Sequence, residues 1–130
     1  MKIRVLSVAC VLAITGALSA CAPHEQAPER PKLGGRPTYM GIITRVSDGD
    51  TLSAGINGIP ETIRLTGIDC PEHDQPFAKE ATQLAKKLAL EKAVRVRELG
   101  RDKYHRLLGE VVLPNGRMLN QELVREGACR

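Results

Sequence analysis

Asp48-Gly49-Asp50-Thr51 and Ile63-Arg64-Leu65-Thr66-Gly67-Ile68-Asp69-Cys70-Pro71-Glu72 bound the stretch that decides the fold. Thr51–Ile56 and Glu61–Ile68 have the aliphatic and β-branched content of strands, and Asn57-Gly58 marks a turn between them. The pattern predicts an antiparallel hairpin that closes with Ile56 near Glu61, paired residue numbers summing to about 117 to 119. In that register Asp50 lies beside Gly67 to Asp69. Two carboxylates far apart in sequence then meet at one end of the hairpin, a place for a hard cation or for acid–base chemistry. Strict alternation sets Arg64 and Asp69 on opposite faces, so a bulge or bend at Gly67 is expected to reconcile them.

The flanks extend this hairpin into a small barrel. Met40 to Val46 reads as a strand leading into the Ser47–Asp50 turn. Pro76 is expected to open a helix, with Phe77, Ala81, Leu84, Ala85 and Leu88 on its apolar face and Lys79, Lys86 and Lys87 mostly opposite. Ala93 to Arg97 alternates as a strand with one wet face. Leu107 to Leu113 forms another strand, Asn115-Gly116 turns the chain, and Leu119 to Glu126 is a short closing helix. The expected class is α+β: a five-stranded Greek-key barrel of the OB type, with one inserted helix and a short C-terminal helix. With two tyrosines, one phenylalanine and no tryptophan, the core must be aliphatic.

These residues carry a resemblance. Asp48-Gly49-Asp50-Thr51, Ile63-Arg64-Leu65, Gly67-Ile68-Asp69-Cys70-Pro71-Glu72, Asp102-Lys103-Tyr104-His105-Arg106 and Asn120 to Gly127 resemble the staphylococcal nuclease (thermonuclease) family, in its order and at sensible separations. The likeness runs from about Tyr39 to Ala128. It implies a calcium-dependent phosphodiesterase acting on DNA or RNA, preferably single-stranded, with 3′-phosphate products. Asp50 and Asp69 are the implied calcium ligands, joined by the backbone carbonyl of Cys70, where the family often has threonine. Asp48 would orient the loop or join the outer shell of the metal.

The remaining roles follow from the same likeness and the chemistry it requires. Arg64 and Arg106 are the expected phosphate clamps, because a guanidinium fork matches two phosphate oxygens and stays charged. Glu72, stiffened by Pro71, is the candidate to position or deprotonate the attacking water. Lys103 and Tyr104 would bind further phosphates of the substrate. His105 stands where the family has glycine; it is read as a tolerated turn residue or as crowding Arg106. Arg95, Arg97, Arg101 and Lys103 read as a basic lane for a single strand or as a solvated strand face.

Taken singly, Asp48-Gly49-Asp50 is a common turn, Arg64 a surface charge, and Glu72-His73-Asp74 a polar loop with Asp74 near a helix cap. Taken together they favour the enzyme over a non-catalytic OB-type module that binds nucleic acid or protein, since a pure binder has no need of Glu72. The family continues beyond the match with aromatic residues and a further helix. A domain shortened at its C-terminus is expected to hold substrate more weakly.

Composition bounds the rest. One domain is expected in 130 residues. Lys2 and Arg4 precede an apolar run from Val5 to Leu18 and then Leu18-Ser19-Ala20-Cys21, so residues 1–20 read as a signal peptide. Its end resembles a bacterial lipobox, which would make Cys21 the lipid-carrying first residue; an ordinary secretory signal is the alternative. Residues 21–37 hold four prolines between Ala22 and Pro37 and read as a flexible tether, leaving 38–130 as the nuclease-like domain. Export to the bacterial cell envelope, a lipid anchor in a membrane, and a monomer are expected. Removing Lys2 and Arg4 from 19 basic residues leaves 17 against 15 acids, a bias too faint to argue for nucleic acid by itself. In an exported chain Cys70 and Cys129 either pair or stay free.

Overall fold

The structure, a computed structural model, describes residues 35–130. The leader, the lipidation site at Cys21 and all but the last residues of the tether lie outside the described residues. Strand β1 spans Thr38–Asp48, β2 Thr51–Ile56, β3 Ile59–Leu65, β4 Ala93–Arg101 and β5 Leu107–Val112; helix α1 spans Ala78–Ala89 and α2 Leu119–Arg125. The strands close into a barrel in the order β1-β2-β3-β5-β4, and β1 returns to pair with β4. All neighbours are antiparallel except β3 and β5, which run parallel through Ile63↔Leu107 to Leu65↔Gly109. A parallel pair needs a crossover, here supplied by α1 and β4. This is the α+β, OB-type barrel that the strand pattern predicts.

Alternation explains why the barrel has an inside. Ile43, Leu52, Ala54, Ile63, Leu65, Val94, Val96, Leu107 and Val111 are buried, while their strand neighbours face outward. Helix α1 presents alanines to this core, with Ala78, Ala81, Ala85 and Ala89 buried. Leu84 and Leu88 are only partly buried against it. Phe77 departs from expectation: it precedes the helix in a left-handed conformation (φ 66°) and is 74% exposed. The helix begins at Ala78, so Pro76 and Phe77 belong to the loop and the buried face starts with a smaller residue.

The hairpin register also differs from the expected one. Asn57 (φ 51°) and Gly58 (φ 78°) both take positive φ and close a two-residue turn, so Ile56 pairs with Ile59 and Thr51 with Arg64. Pro60 is accommodated because its partner is Gly55, one step from the closing pair, where an antiparallel ladder exchanges no hydrogen bonds. Asp50 therefore stands next to Leu65, whose N–H donates to the Asp50 carbonyl at 2.8 Å, and not beside Gly67 to Asp69.

A polar cluster ties the Asn57-Gly58 end of the barrel. The Arg101 guanidinium donates to both Glu61 oxygens at 2.9 and 3.0 Å, and Tyr39 donates to Glu98 at 2.8 Å. The Arg101 hydrogen bond holds the Glu61 carboxyl below its ordinary value, and the hydrogen bond to Glu98 pushes the Tyr39 phenol up. Arg97 is paired with Glu110. Two of the arginines proposed for a basic lane are thus neutralised by neighbours within the barrel wall.

Candidate active site

The site is built where β1 turns into β2. Asp48 pairs with Thr51, leaving Gly49 and Asp50 as the turn. A Cβ on Gly49 would lie 2.9 Å from Cys70 Cβ, 3.0 Å from its Sγ and 3.2 Å from Ala81 Cβ. Any side chain there would drive the turn away from α1 and Cys70. With glycine in place, Asp50 points inward and is 2% exposed.

A buried carboxylate must be matched by donors. One Asp50 oxygen is ion-paired with Arg64 and accepts from Thr51 Oγ1 at 3.2 Å; the other accepts the Cys70 N–H at 3.2 Å. Arg64 reaches it because Thr51 and Arg64 are cross-strand partners. The other terminal nitrogen of Arg64 lies 3.9 Å from Asp69. One guanidinium therefore lies between the two carboxylates. The meeting occurs by a different route from the expected register: β3 stops at Leu65, and Gly67, with φ 73°, turns the chain back so that Asp69 and Cys70 return to the Asp50 turn. The bend expected at Gly67 is present.

Past Cys70, Pro71 leads into a turn in which the Gln75 N–H donates to the Glu72 carbonyl at 2.8 Å and the Glu72 N–H donates to Gln75 Oε1 at 3.0 Å. These bonds fix the Glu72 backbone and leave its carboxylate exposed. Asp74 caps nothing, since α1 starts at Ala78 without a side-chain cap.

Arg106 enters from the loop before β5. Asp102 organises that loop: one oxygen accepts the N–H groups of Tyr104 (2.9 Å) and Arg106 (3.0 Å), and the other accepts Arg106 Nε at 2.7 Å. Burial pushes the Asp102 carboxyl up, but the Arg106 side chain and the two backbone donors outweigh it and hold it below the ordinary aspartate value. His105 occupies the left-handed position of this turn, with φ 62°. It is a turn residue, and among the described residues Nε is the only guanidinium nitrogen of Arg106 that is hydrogen-bonded.

Asp50, Arg64, Cys70, Glu72 and Arg106 line one cleft of about 320 Å³, together with Asp48 and Asp74. Asp69 is two-thirds exposed and faces a neighbouring hollow of about 530 Å³ that shares the Cys70-Pro71 wall. Among the described residues Asp69 is the one acidic side chain lining that larger hollow, whereas the smaller cleft is lined by four. Lys103 and Tyr104 are not among the residues that line that cleft. The Lys103 ammonium lies 5.0 Å and the Arg106 guanidinium 5.4 Å from the Tyr104 ring centre. Cys70 and Cys129 are joined in a disulfide, with Cα atoms 4.3 Å apart.

The donor set suits a hard cation. The cleft holds Asp48, Asp50, Glu72 and Asp74 against Arg64 and Arg106, leaving an excess of negative charge. A carboxylate offers about four lone-pair sites, of which Asp50 uses three, leaving one open. No cluster of three or more His, Cys, Asp or Glu side chains is assembled at ligand spacing among the described residues. Carbonyl and water oxygens would have to complete the coordination, as they commonly do around calcium.

Two residues known from the sequence only as parts of motifs have structural roles in the site that the motifs alone do not show. Asp102 had a readable signal, an aspartate two residues before a donor N–H in a polar turn. Asn120, buried at the start of α2, donates to the Thr66 carbonyl at 2.8 Å and accepts the Val111 N–H at 3.2 Å. It ties the exit of β3 to β5; its place in the Asn120 to Gly127 stretch marked it as part of the resemblance without showing this role.

Comparison with known proteins identifies the family. The profile of the family described as staphylococcal nuclease homologue matches residues 62–130. An uncharacterized endonuclease of Escherichia coli O157:H7 is 41% identical over 89 residues, covering 68% of this chain and 58% of the relative. A thermonuclease of Staphylococcus intermedius is 38% identical over 98 residues, covering 68% and 57% respectively. A micrococcal nuclease of Shigella flexneri is 37% identical over 76 residues, covering 58% and 44%. The chain therefore spans about half the length of the curated relatives it matches. The match over residues 62–130, more than half of a chain that folds as this barrel, shows that the chain belongs to the staphylococcal nuclease homologue family.

Proposed function

We propose that this chain is a calcium-dependent phosphodiesterase that hydrolyses DNA, RNA or both to 3′-phosphate products. The observation that carries the reading is one cleft holding a buried Asp50 matched by Arg64, an exposed Glu72 and a half-engaged Arg106. Asp50, Asp69 and the Cys70 carbonyl would hold calcium, which supplies positive charge against the phosphoryl group as its own charge grows. Arg64 and Arg106 grip the non-bridging phosphate oxygens. Glu72 orients a water and takes its proton; the water oxygen bonds to phosphorus as the bond to the 5′ oxygen breaks, and that oxygen leaves with a proton from solvent. Lys103 and Tyr104, which neighbour Arg106, contact the neighbouring phosphate. The nuclease names of the relatives support this reaction class.

The test incubates single-stranded DNA with the protein beginning just after Cys21, in calcium and in excess chelator. Degradation in calcium alone is expected. Glu72→Gln should lower the rate by about 100- to 10,000-fold while leaving binding near normal. Equal activity in that variant overturns the mechanism. A folded protein that binds the strand and does not cut it favours the non-catalytic module. Export and a lipid at Cys21, holding a monomer at the cell envelope, belong to the same proposal; loss of metabolic acyl labelling in Cys21→Ala checks the anchor.

A further inference from the structure

The segment between β3 and α1 carries Asp69, Cys70 and Glu72, yet it contains no helix or strand. Gly67, with positive φ, bends the chain near its start. Beyond that bend the bonds that hold it to the rest of the protein converge on two residues. The Asp69 N–H donates to the Arg130 carbonyl at 2.6 Å, and the Arg130 N–H donates back to the Asp69 carbonyl at 2.9 Å. Cys70 is bonded through sulfur to Cys129 and through its N–H to Asp50. Cys129 in turn is anchored, because its N–H and that of Ala128 donate to the carbonyl of Leu123, whose side chain is fully buried in the core.

This makes a load path from the core through Leu123, Cys129 and Cys70 to the acids. The path reaches Asp50 twice. The Cys70 N–H bonds its carboxylate, and the Cys70 Cβ and Sγ sit against Gly49, where even a methyl group would clash. Asp50 and Asp69 carry like charges and share one Arg64. With the cross-link broken, the loop is held by hydrogen bonds and ion pairs alone, Asp69 to Arg130 and Arg64 and Cys70 to Asp50; with it intact, a covalent tie adds to them and limits how far Asp69 and Cys70 move from the Asp50 turn.

We propose that Cys129 is a positioning residue for the cation site: through its disulfide with Cys70 it presets Asp50 and Asp69, so that the oxidised chain binds calcium more tightly than the reduced one. This rests on the calcium reading above. Reduction by a dithiol breaks the S–S bond, two electrons and two protons pass to the sulfurs, and the dithiol closes to a cyclic disulfide.

The experiment uses the full chain and two readouts. Calcium affinity is measured by calorimetry on the oxidised protein, on protein reduced with dithiothreitol, after reoxidation with oxidised glutathione, and on Cys129→Ala. Amide hydrogen exchange is followed without metal at Asp69, Cys70, Ile63 and Val96. Reduction should weaken affinity by about 10- to 100-fold, the usual effect of losing a group that orients metal ligands. Cys129→Ala should match it, and reoxidation should reverse it. Protection should fall at Asp69 and Cys70 and persist at Ile63 and Val96. Unchanged affinity and exchange in the reduced protein overturn the proposal. Joint loss of protection at all four amides also overturns it, leaving the bridge as a staple of the whole barrel. Absence of calcium binding by the oxidised protein would instead defeat the calcium reading, and the exchange comparison would still decide the positioning role.

Discussion

Ile43, Leu52, Ile63, Val96 and Val111 sit inside a wall whose strands are paired on both sides, whereas Asp69, Cys70 and Glu72 ride on a loop held by a few named bonds. In the wall, support is shared: each side chain packs against several others and each strand has two neighbours. In the loop, support is serial, and every bond has its own consequence. The wall therefore sets stability, and the loop sets how the acids meet. Substitutions should separate the two regions by what they change more than by how much.

The largest effect is expected in the wall. Ile63→Ala removes a fully buried side chain and should cost about 2–5 kcal/mol of unfolding free energy, read by urea titration, with little change in the cleavage rate of the folded fraction. At the boundary between the regions, Arg64→Ala should slow cleavage by about 100- to 1,000-fold, as loss of a preorganised charge donor does. Arg64→Lys should recover little of it, because an ammonium cannot span Asp50 and a phosphate as the planar fork can. Recovery of full activity in the lysine variant would remove the clamp role.

Asn120→Ala sharpens the comparison, since Asn120 joins the wall to the exit of β3. It leaves the Val111 N–H and the Thr66 carbonyl without their partner and should cost about 1–3 kcal/mol, with faster amide exchange at Thr66 before the rest of the barrel.

The smallest effect is a pH dependence confined to the Arg106 loop. The Asp102 carboxyl is held below its ordinary value, so its contribution is complete above about pH 4 and is lost as pH falls through the lower folded value. The Tyr104 and Arg106 amide resonances should follow that titration. Asp102→Asn, which keeps one oxygen acceptor, should abolish the acid transition while preserving much of the turn.

Much of the barrel was legible because strand alternation and turn residues report on immediate neighbours. Val94 and Val96 alternate with Arg95 and Arg97, and the first pair is buried. Phe77 was misjudged as core because helical spacing counts positions without showing where the helix starts. The site was legible as residue types but not as a geometry. Asp50 and Asp69 do approach one guanidinium, yet the hairpin register that seemed to bring them together was wrong. Two positive-φ residues tightened the turn, and a bend at Gly67 made up the difference.

What the sequence determined alone was the order of strands and helices, the place of each turn, and an acid-rich stretch flanked by arginines. These depend on interactions within a few residues. The closure of β3 against β5, the inward aim of Asp50 beneath Cys70, and the tie from Cys129 to the acidic loop were decided only by tertiary structure. Each joins residues separated by long stretches of chain, and burial and packing in three dimensions select one partner among many that the sequence permits.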